Sequence, residues 1–241
     1  QSFEEWDDSR NHTNIDMIKF FEQSYPEPYF QPGEKWEYCN PGYELIVTII
    51  EKASGQDIYN FMDEHIFHPL GMNESQIFEG IIDFHCPQRV KGYTKNAGEF
   101  VEDDYTFLNG IIGAGGIYTS LNDYSKWLNS LDNQTLLSAK SMEIMYEPAR
   151  LNDGSIANVD DMTLKDFIFP DKSKYRSYGY GWVVTKGDES IIAHSGSWVG
   201  FRNYVFRNVD SGVDIIMFSN RGSASEDYWF HNVMKKIDKT I

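Results

Sequence analysis

The chain has 241 residues, 41% of them hydrophobic and 15% aromatic, which is enough apolar material for a substantial core. Its formal net charge of -16 would repel a phosphate backbone, so we expect no nucleic-acid binding. The longest strongly apolar run, residues 45–50, is far too short to cross a bilayer, and two cysteines, Cys39 and Cys86, are too few for a disulfide framework. We therefore expect a folded protein without a membrane span in this sequence.

The first predicted element is a helix over residues 14–24. Thr13 and Asp16 stand three residues apart, the spacing at which the two side chains can cap the start of a helix reciprocally. Apolar residues then recur at helical spacing until Pro26, which cannot continue a helix.

A second helix is predicted directly after the triplet Tyr38-Cys39-Asn40. The triplet follows a loop rich in Pro and Gly, and the apolar residues after it mark one helical face that Gly55 terminates. A third, shorter helix is predicted from Asp57 to about Phe67.

The middle of the chain alternates short predicted elements with loops. Residues 88–102 predict two short strands around an Asn-Ala-Gly turn, and the glycine cluster of residues 110–116 predicts close backbone packing. A capping box at Ser120–Asp123 begins another helix, and residues 139–146 predict a further one. The polar stretch 152–177 has no clean period, so we interpret it as a loop or insertion.

The last part of the chain predicts a meander of antiparallel strands that a helix closes. The β-rich runs are separated by Gly- and Asp-containing turns and comprise residues 178–186, 190–194, 202–208 and 213–220. Ser223 and Glu226 form another capping box before apolar residues at i, i+4 spacing. Helices, then a meander, then a helix indicate an α+β architecture.

Few residues suggest chemistry when each is considered alone. A Tyr two residues before an Asn is more often structural than catalytic. Residues 193–203 place a His and two Gly residues at the end of a predicted strand, where backbone N–H groups can face a cleft. His65 and His68 share a helical face but lack the pattern of a zinc motif, so we expect no metal site.

Considered together, several segments in order are similar to one family. They are PGEKWEYCNPGYELI, IFHPLGM, GAGGIYTSLNDYSKWL, LLSAKSMEIM, YGYGWVV and AHSGSWVGF. From about residue 25 to its end, the chain resembles the class C β-lactamase-like serine hydrolases, a family of penicillin-recognising enzymes, D-peptidases and esterases. The resemblance implies a β-lactamase/transpeptidase-like fold, with an antiparallel sheet flanked by helices beside a helical lobe and the active site between them. It also implies one incomplete domain over residues 1–241, with the helical lobe at about 1–175 and the sheet and last helix at about 176–241.

The resemblance assigns a role to the Tyr-x-Asn motif. Tyr38 falls on the proton-transfer group of the family, and Asn40 falls on a hydrogen-bonding partner for the substrate. A tyrosine normally titrates near pH 10, so it acts as a base only where a cation stabilises its phenolate. In the family that cation is usually the lysine of a Ser-x-x-Lys motif.

The third motif of the family, which is Lys-Thr-Gly in many β-lactamases and His-x-Gly in many relatives, falls on His194-Ser195-Gly196. A largely neutral imidazole attracts the carboxylate of a penicillin less than a lysine does, which favours esterase- or peptidase-like activity. Ser197 would supply one backbone N–H of the oxyanion hole, which stabilises charge that develops in the transition state.

The nucleophile motif of the family does not occur in this sequence. No Ser or Thr is followed by Lys at the third position. In the family this motif precedes Tyr-x-Asn, and the present sequence begins at Gln1 rather than Met. We therefore expect this chain to be the C-terminal portion of a longer hydrolase and to lack the N-terminal part of that protein.

Two functions remain open at this point. The first is a serine acyl hydrolase that acts on an amide or ester through an acyl-enzyme and is inactive as this chain alone, and the second is a non-catalytic peptide- or peptidoglycan-binding module. The expected partners are a small-molecule or peptide substrate and either the missing portion or a second copy. No cofactor is expected. The resemblance implies a periplasmic or extracellular location, and it leaves the acyl substrate open among a β-lactam, a D-peptide and an ester.

Overall fold

The structure is a computed structural model that describes residues 6–24, 27–78, 89–159, 175–187 and 190–222. Its contacts divide the chain into two units. The first unit comprises residues 1–29, 39–90 and 104–136. The second unit comprises residues 30–38, 91–103 and 137–241. The division into lobes near residue 175 stays a prediction.

The described residues contain helices and strands in both halves of the sequence. The α-helices are α1 (Asn14–Ser24), α2 (Asn40–Ser54), α3 (Ile58–Met62), α4 (His68–Leu70), α5 (Leu121–Asp132) and α6 (Ala139–Met145). A π-helical turn, Asp63–Phe67, joins α3 to α4. The strands are β1 (Gln76–Ile77), β2 (Tyr93–Asn96), β3 (Glu99–Glu102), β4 (Ile117–Tyr118), β5 (Tyr175–Tyr178), β6 (Val183–Lys186), β7 (Ser190–Trp198), β8 (Phe201–Asn208) and β9 (Val213–Ser219).

The ends of α1 and α2 confirm the signals in the sequence. The backbone N–H of Thr13 donates to the Asp16 carboxylate at 2.9 Å, so the predicted capping pair is formed at the start of α1. At the C-terminal end of α2, Gly55 adopts a left-handed conformation with φ 73°, and its N–H donates to the carbonyl of Glu51. The boundaries predicted for these helices are therefore confirmed.

The core of the first unit forms where α2 meets the short elements that follow it. One buried side chain of α2, Val47, packs in a cluster with residues from α3, the π-helical turn, β1 and the loops. The other buried members of that cluster are Ile58, Phe67, Met72, Ile77 and Ile112. Burial of large apolar side chains contributes about 1.5–3 kcal/mol each, so this cluster carries much of the stability of the unit.

Asn14 joins three segments of the first unit through its buried side-chain amide. The amide nitrogen donates to the carbonyl oxygens of Glu44 at 2.8 Å and Ile112 at 2.7 Å, and the amide oxygen accepts from the N–H of Ile112 at 2.9 Å. These bonds hold α1, α2 and the glycine-rich loop together. Polar groups of this kind stabilise a fold only when they are fully paired, as the amide is here.

Close backbone packing is confirmed within the glycine cluster, at Gly113. A Cβ on this residue would lie 2.6 Å from the carbonyl oxygen of Tyr43 and 2.8 Å from the Cα of Glu44, and its φ is +123°. Both the space and the conformation therefore require glycine. Gly115, two residues later, has open space around its Cβ position.

Replacement of Gly113 by Ala is expected to lower the free energy of unfolding by about 2–4 kcal/mol, because the methyl group overlaps backbone atoms of α2 and forces a strained φ. The matched change Gly115→Ala is expected to alter it by less than about 0.5 kcal/mol. Chemical denaturation of both variants measures the difference. Equal stability of the two variants would contradict the packing described above.

The second unit contains a five-stranded antiparallel sheet in the order β5-β6-β7-β8-β9. Each strand pairs with the next one in sequence, which is the meander that the sequence predicts. Together with the helices this confirms the α+β architecture. Among the described residues, no helix is long and apolar enough to span a membrane.

Two predictions at the start of the sheet are wrong. Residues 178–186 form the end of β5, a turn and then β6 instead of one strand, because the N–H of Gly179 donates to the carbonyl of Trp182 and Gly181 takes a φ of +78°. Residues 175–177, which we interpreted as loop, belong to β5. Residues 160–174 of that predicted loop lie outside the described residues.

The central strand β7 is also longer than predicted. It runs to Trp198 rather than ending at His194, because β8 pairs with it as far as the pair Trp198 and Phe201. A strand therefore does end within residues 193–203, but it ends at Trp198, and the predicted end at His194 was wrong. The predicted last helix, with Ser223 and Glu226, lies outside the described residues.

The predicted hairpin is present as β2 and β3, paired around a turn at Ala97 and Gly98. It is attached to the far end of the sheet. The N–H of Tyr93 donates to the carbonyl of Asn220 at 3.0 Å, and the N–H of Gly222 donates to the carbonyl of Tyr93 at 2.7 Å. The hairpin is thus hydrogen-bonded to the residues that directly follow β9.

Candidate active site

Four ring side chains meet in the second unit, and we call them the aromatic cluster: Trp36, Tyr38, Tyr178 and His194. The ring centroid of Tyr178 lies 5.2 Å from that of Trp36, 6.1 Å from that of Tyr38 and 5.8 Å from that of His194. The rings of Tyr38 and His194 are themselves 6.2 Å apart. The structure therefore brings together two of the residues that the sequence singled out, Tyr38 and His194.

The local sequence explains how the two residues before α2 reach the cluster. Trp36 and Tyr38 are two residues apart in a segment without helix, and alternate residues of an extended segment point to the same side. Both rings accordingly contact Tyr178. Tyr38 keeps 38% of its surface exposed.

Hydrogen bonds around His194 fix the tautomer of its ring. Nδ1 lies 2.7 Å from the backbone carbonyl oxygen of Ser195, and a carbonyl oxygen can only accept. Nδ1 therefore carries the proton and donates it. In the neutral ring Nε2 is then an acceptor, and it receives the hydroxyl hydrogen of Tyr178 over 2.8 Å.

The surroundings of His194 also favour the neutral ring. Burial lowers the pKa of this imidazole below its ordinary value of 6.5, and the hydrogen bond to Ser195 offsets only part of that effect. At pH 7 the neutral form of the ring therefore predominates. A lysine side chain in its place would carry a full positive charge.

The residues that follow His194 lie on β7, with their spacing set by the pairing with β8. Gly196 stands opposite Asn203, and a Cβ on Gly196 would lie 2.5 Å from the Asn203 amide nitrogen. Glycine leaves room for that side chain. Ser195 is half-buried and Ser197 is exposed.

Among the described strands, one edge of β7 has no neighbour beyond Ala193. The pairing of β6 with β7 stops at Ala193, whereas β8 pairs with β7 as far as Trp198. Among the described strands, residues 194–198 therefore have a partner on one side only. An exposed strand edge of this kind can bind an extended peptide through main-chain hydrogen bonds.

Asn40, the second half of the Tyr-x-Asn motif, is the first residue of α2 in the first unit. Cys39 between the two residues is the N-cap and carries an exposed free thiol. Pro41 occupies the first turn of the helix, where its missing N–H has no cost. The helix thus begins at the motif.

Sequence reasoning missed Trp36 and Tyr178 as members of the cluster. Both occur in segments that carry the family resemblance, but neither belongs to a spacing that predicts chemistry. Tyr178 reaches His194 only because β5, β6 and β7 lie side by side in a particular register. The i, i+2 relation of Trp36 and Tyr38 was the one signal available in the sequence.

Comparisons with known proteins define the class of protein to which the chain belongs. The chain belongs to the beta-lactamase family, whose model matches residues 4–235. The penicillin-binding protein 4* of Bacillus subtilis (strain 168) is 29% identical over an alignment of 239 positions, which covers 93% of this chain and 48% of that protein. The D-aminopeptidase of Brucella anthropi is 26% identical over an alignment of 202 positions, which covers 82% of this chain and 34% of that protein.

Solved structures show the same fold. The octameric penicillin-binding protein homologue from Pyrococcus abyssi has a TM-score of 0.72 at 25% identity and covers 87% of this chain and 44% of its own. The D-amino acid amidase from Ochrobactrum anthropi SV3, complexed with L-phenylalanine, has a TM-score of 0.70 at 21% identity and covers 96% of this chain and 64% of its own. The chain spans about half or less of the length of the penicillin-binding protein 4* and of the D-aminopeptidase.

Histidine-selective nitrogen NMR is expected to show His194 as the Nδ1–H tautomer, with a titration midpoint below pH 6.5 because burial disfavours the charged ring. The variant His194→Gln identifies the resonance. Because the folded pKa lies below the unfolded one, the stabilisation from this group is complete above about pH 6.5 and is lost as the pH falls toward the folded pKa. An Nε2–H tautomer, or a midpoint at or above 6.5, would contradict the hydrogen bonding described here.

Proposed function

We propose that this chain is part of a serine acyl hydrolase that cleaves an amide or ester through an acyl-enzyme, and that residues outside these 241 supply its Ser-x-x-Lys motif. The observation that carries the proposal is the contact between Tyr38 and the neutral ring of His194 in a chain of the beta-lactamase family. The chain alone is then one incomplete domain without a nucleophile and is inactive.

In this proposal Tyr38 transfers the proton. The serine oxygen bonds to the acyl carbon, its proton passes to the phenolate of Tyr38, and the same proton goes to the departing nitrogen or oxygen as the scissile bond breaks. Water then attacks the acyl-enzyme by the same route. The N–H of Ser197 stabilises the developing oxyanion, and Asn40 hydrogen-bonds the substrate.

The cation that keeps Tyr38 ionised must come from elsewhere than His194. Its imidazole donates from Nδ1 to a carbonyl oxygen, and burial lowers its pKa, so the neutral form predominates at pH 7 and stabilises a phenolate little by charge. The lysine of the Ser-x-x-Lys motif is the group that fits this task. The proposal therefore requires that motif for proton transfer as well as for its serine.

A neutral His194 also bears on the class of substrate. Without a cation at this point the site gains little from a substrate carboxylate, so we propose an uncharged amide or ester rather than a penicillin as the preferred acyl donor. The open edge of β7 at residues 194–198 suits an extended, peptide-like substrate. Two of the related proteins are named for the hydrolysis of D-amino acid peptides and amides, which supports the proposal.

A second candidate is a non-catalytic module that binds peptides or peptidoglycan fragments. The absence of Ser-x-x-Lys from the sequence favours it, and the open edge of β7 serves binding as well as catalysis. In either case we propose that the chain pairs with the segment that carries the motif or with a second copy of itself. We also propose that it acts outside the cytoplasm. The related protein from Pyrococcus abyssi is octameric.

Active-site labelling separates the two candidates. The 241-residue chain and the full gene product are each treated with a fluorophosphonate, and intact mass is measured. We expect no adduct on the chain, because it lacks the nucleophile, and one adduct per full gene product. A gene product that contains no Ser-x-x-Lys and takes no label would favour the binding module, and an adduct on the 241-residue chain would overturn the proposal.

The contribution of Tyr38 is tested in the same assay. Tyr38→Phe in the full gene product is expected to slow labelling and turnover by about 10²–10⁴-fold, because the proton acceptor is removed while the ring contacts remain. The matched control is Tyr29→Phe, since Tyr29 is 90% exposed and lies outside the aromatic cluster. Equal rates for the two variants would remove Tyr38 from the mechanism.

A further inference from the structure

We infer that Tyr178 is a positioning residue of this site: its hydroxyl, bonded to Nε2, holds the ring of His194 in one orientation, while the Ser195 carbonyl sets the tautomer. Through His194, Tyr178 sets the polarity that the substrate meets. The inference rests on the proposed function for its catalytic consequence. The hydrogen bond that carries it can be measured without activity.

Tyr178 is the common neighbour of the aromatic cluster. Its ring contacts those of Trp36, Tyr38 and His194, while its hydroxyl reaches Nε2 of His194 at 2.8 Å. Only 6% of the residue is exposed. A side chain enclosed on several sides has one accessible rotamer, so the direction of its hydroxyl is fixed.

The backbone around Tyr178 is fixed as well. Its carbonyl accepts from the N–H of Ala149 at 2.9 Å, and it pairs with Val183 of β6. The next residue, Gly179, lies so close to the carbonyl oxygen of Met145 that a Cβ would approach to 2.5 Å. The end of β5 therefore cannot shift without breaking several contacts. Because the backbone of Tyr178 is held in this way, its hydroxyl stays in one position.

Both nitrogens of His194 are thereby occupied. Nδ1 donates to the carbonyl of Ser195, and Nε2 accepts from Tyr178. While these bonds persist, Nε2 is not available to accept the proton of Tyr38 or to bind a substrate donor. The imidazole then presents an uncharged ring in a fixed orientation beside Tyr38, and Tyr178 is the residue that maintains this orientation.

A double-mutant cycle in the full gene product tests whether Tyr178 acts through His194. Tyr178→Phe is expected to lower kcat by about 10- to 100-fold with little change in KM, because a reoriented imidazole misplaces the neighbouring Tyr38. In a His194→Gln background the same change is expected to cost less than about twofold, since the group that it positions is gone. Tyr175→Phe removes a hydroxyl from the same strand and serves as the matched control.

The cycle has two outcomes that would overturn the inference. One is an equal loss from Tyr178→Phe in both backgrounds, which would show that the hydroxyl does not act through His194. The other is a loss of thermal stability in Tyr178→Phe that accounts for the fall in activity, with the remaining folded fraction fully active. Thermal unfolding of all variants, measured beside the kinetics, distinguishes these results from the expected one.

Nitrogen NMR keeps the inference testable if the full gene product takes no label. The Nε2 resonance of His194 is expected to move in Tyr178→Phe, because its hydrogen-bond donor is removed, and to stay in place in Tyr175→Phe. An unmoved Nε2 resonance in Tyr178→Phe would overturn the inference. Failure to label would instead overturn the hydrolase proposal and leave this result standing.

Discussion

The hydrogen bond from Tyr178 to His194 is the interaction on which the rest of the candidate site depends. It joins strands β5 and β7, which are not neighbours in the sheet, so it forms only when β6 lies between them in the correct register. Because Nδ1 of the same ring is held by the Ser195 carbonyl, the imidazole is fixed from both sides. The contact between His194 and Tyr38 follows from that fixed ring.

How much could be predicted from the sequence depends on how local the determining contact is. The limits of α1 and the end of α2 were predicted correctly, since Thr13, Asp16 and Gly55 act within one helical turn. The run 178–186 was wrongly predicted as one strand, because residues on both sides of its glycine turn favour strands equally. Tyr178 was missed because its partner lies 16 residues away and is reached through strand pairing, which leaves no periodic pattern.

Charge gives the site a consistent character. The chain carries a net charge of -16, and His194 in the candidate site is a half-buried imidazole whose pKa is lowered by burial. An anionic substrate would therefore be repelled at long range and would gain no ion pair with His194 on arrival. An uncharged amide or ester suffers neither disadvantage.

The attachment of the β2–β3 hairpin has a consequence for how this protein is made. The side-chain amide of Asn220 donates to the carbonyl of Lys91, a contact between residues 129 positions apart in the chain. Contacts across such a separation close a long loop and form slowly. During synthesis the hairpin must wait for the whole of β9 to emerge before it can attach. The pairing of β2 with β3 is local, so the step that is expected to come late is the attachment of the hairpin to the sheet.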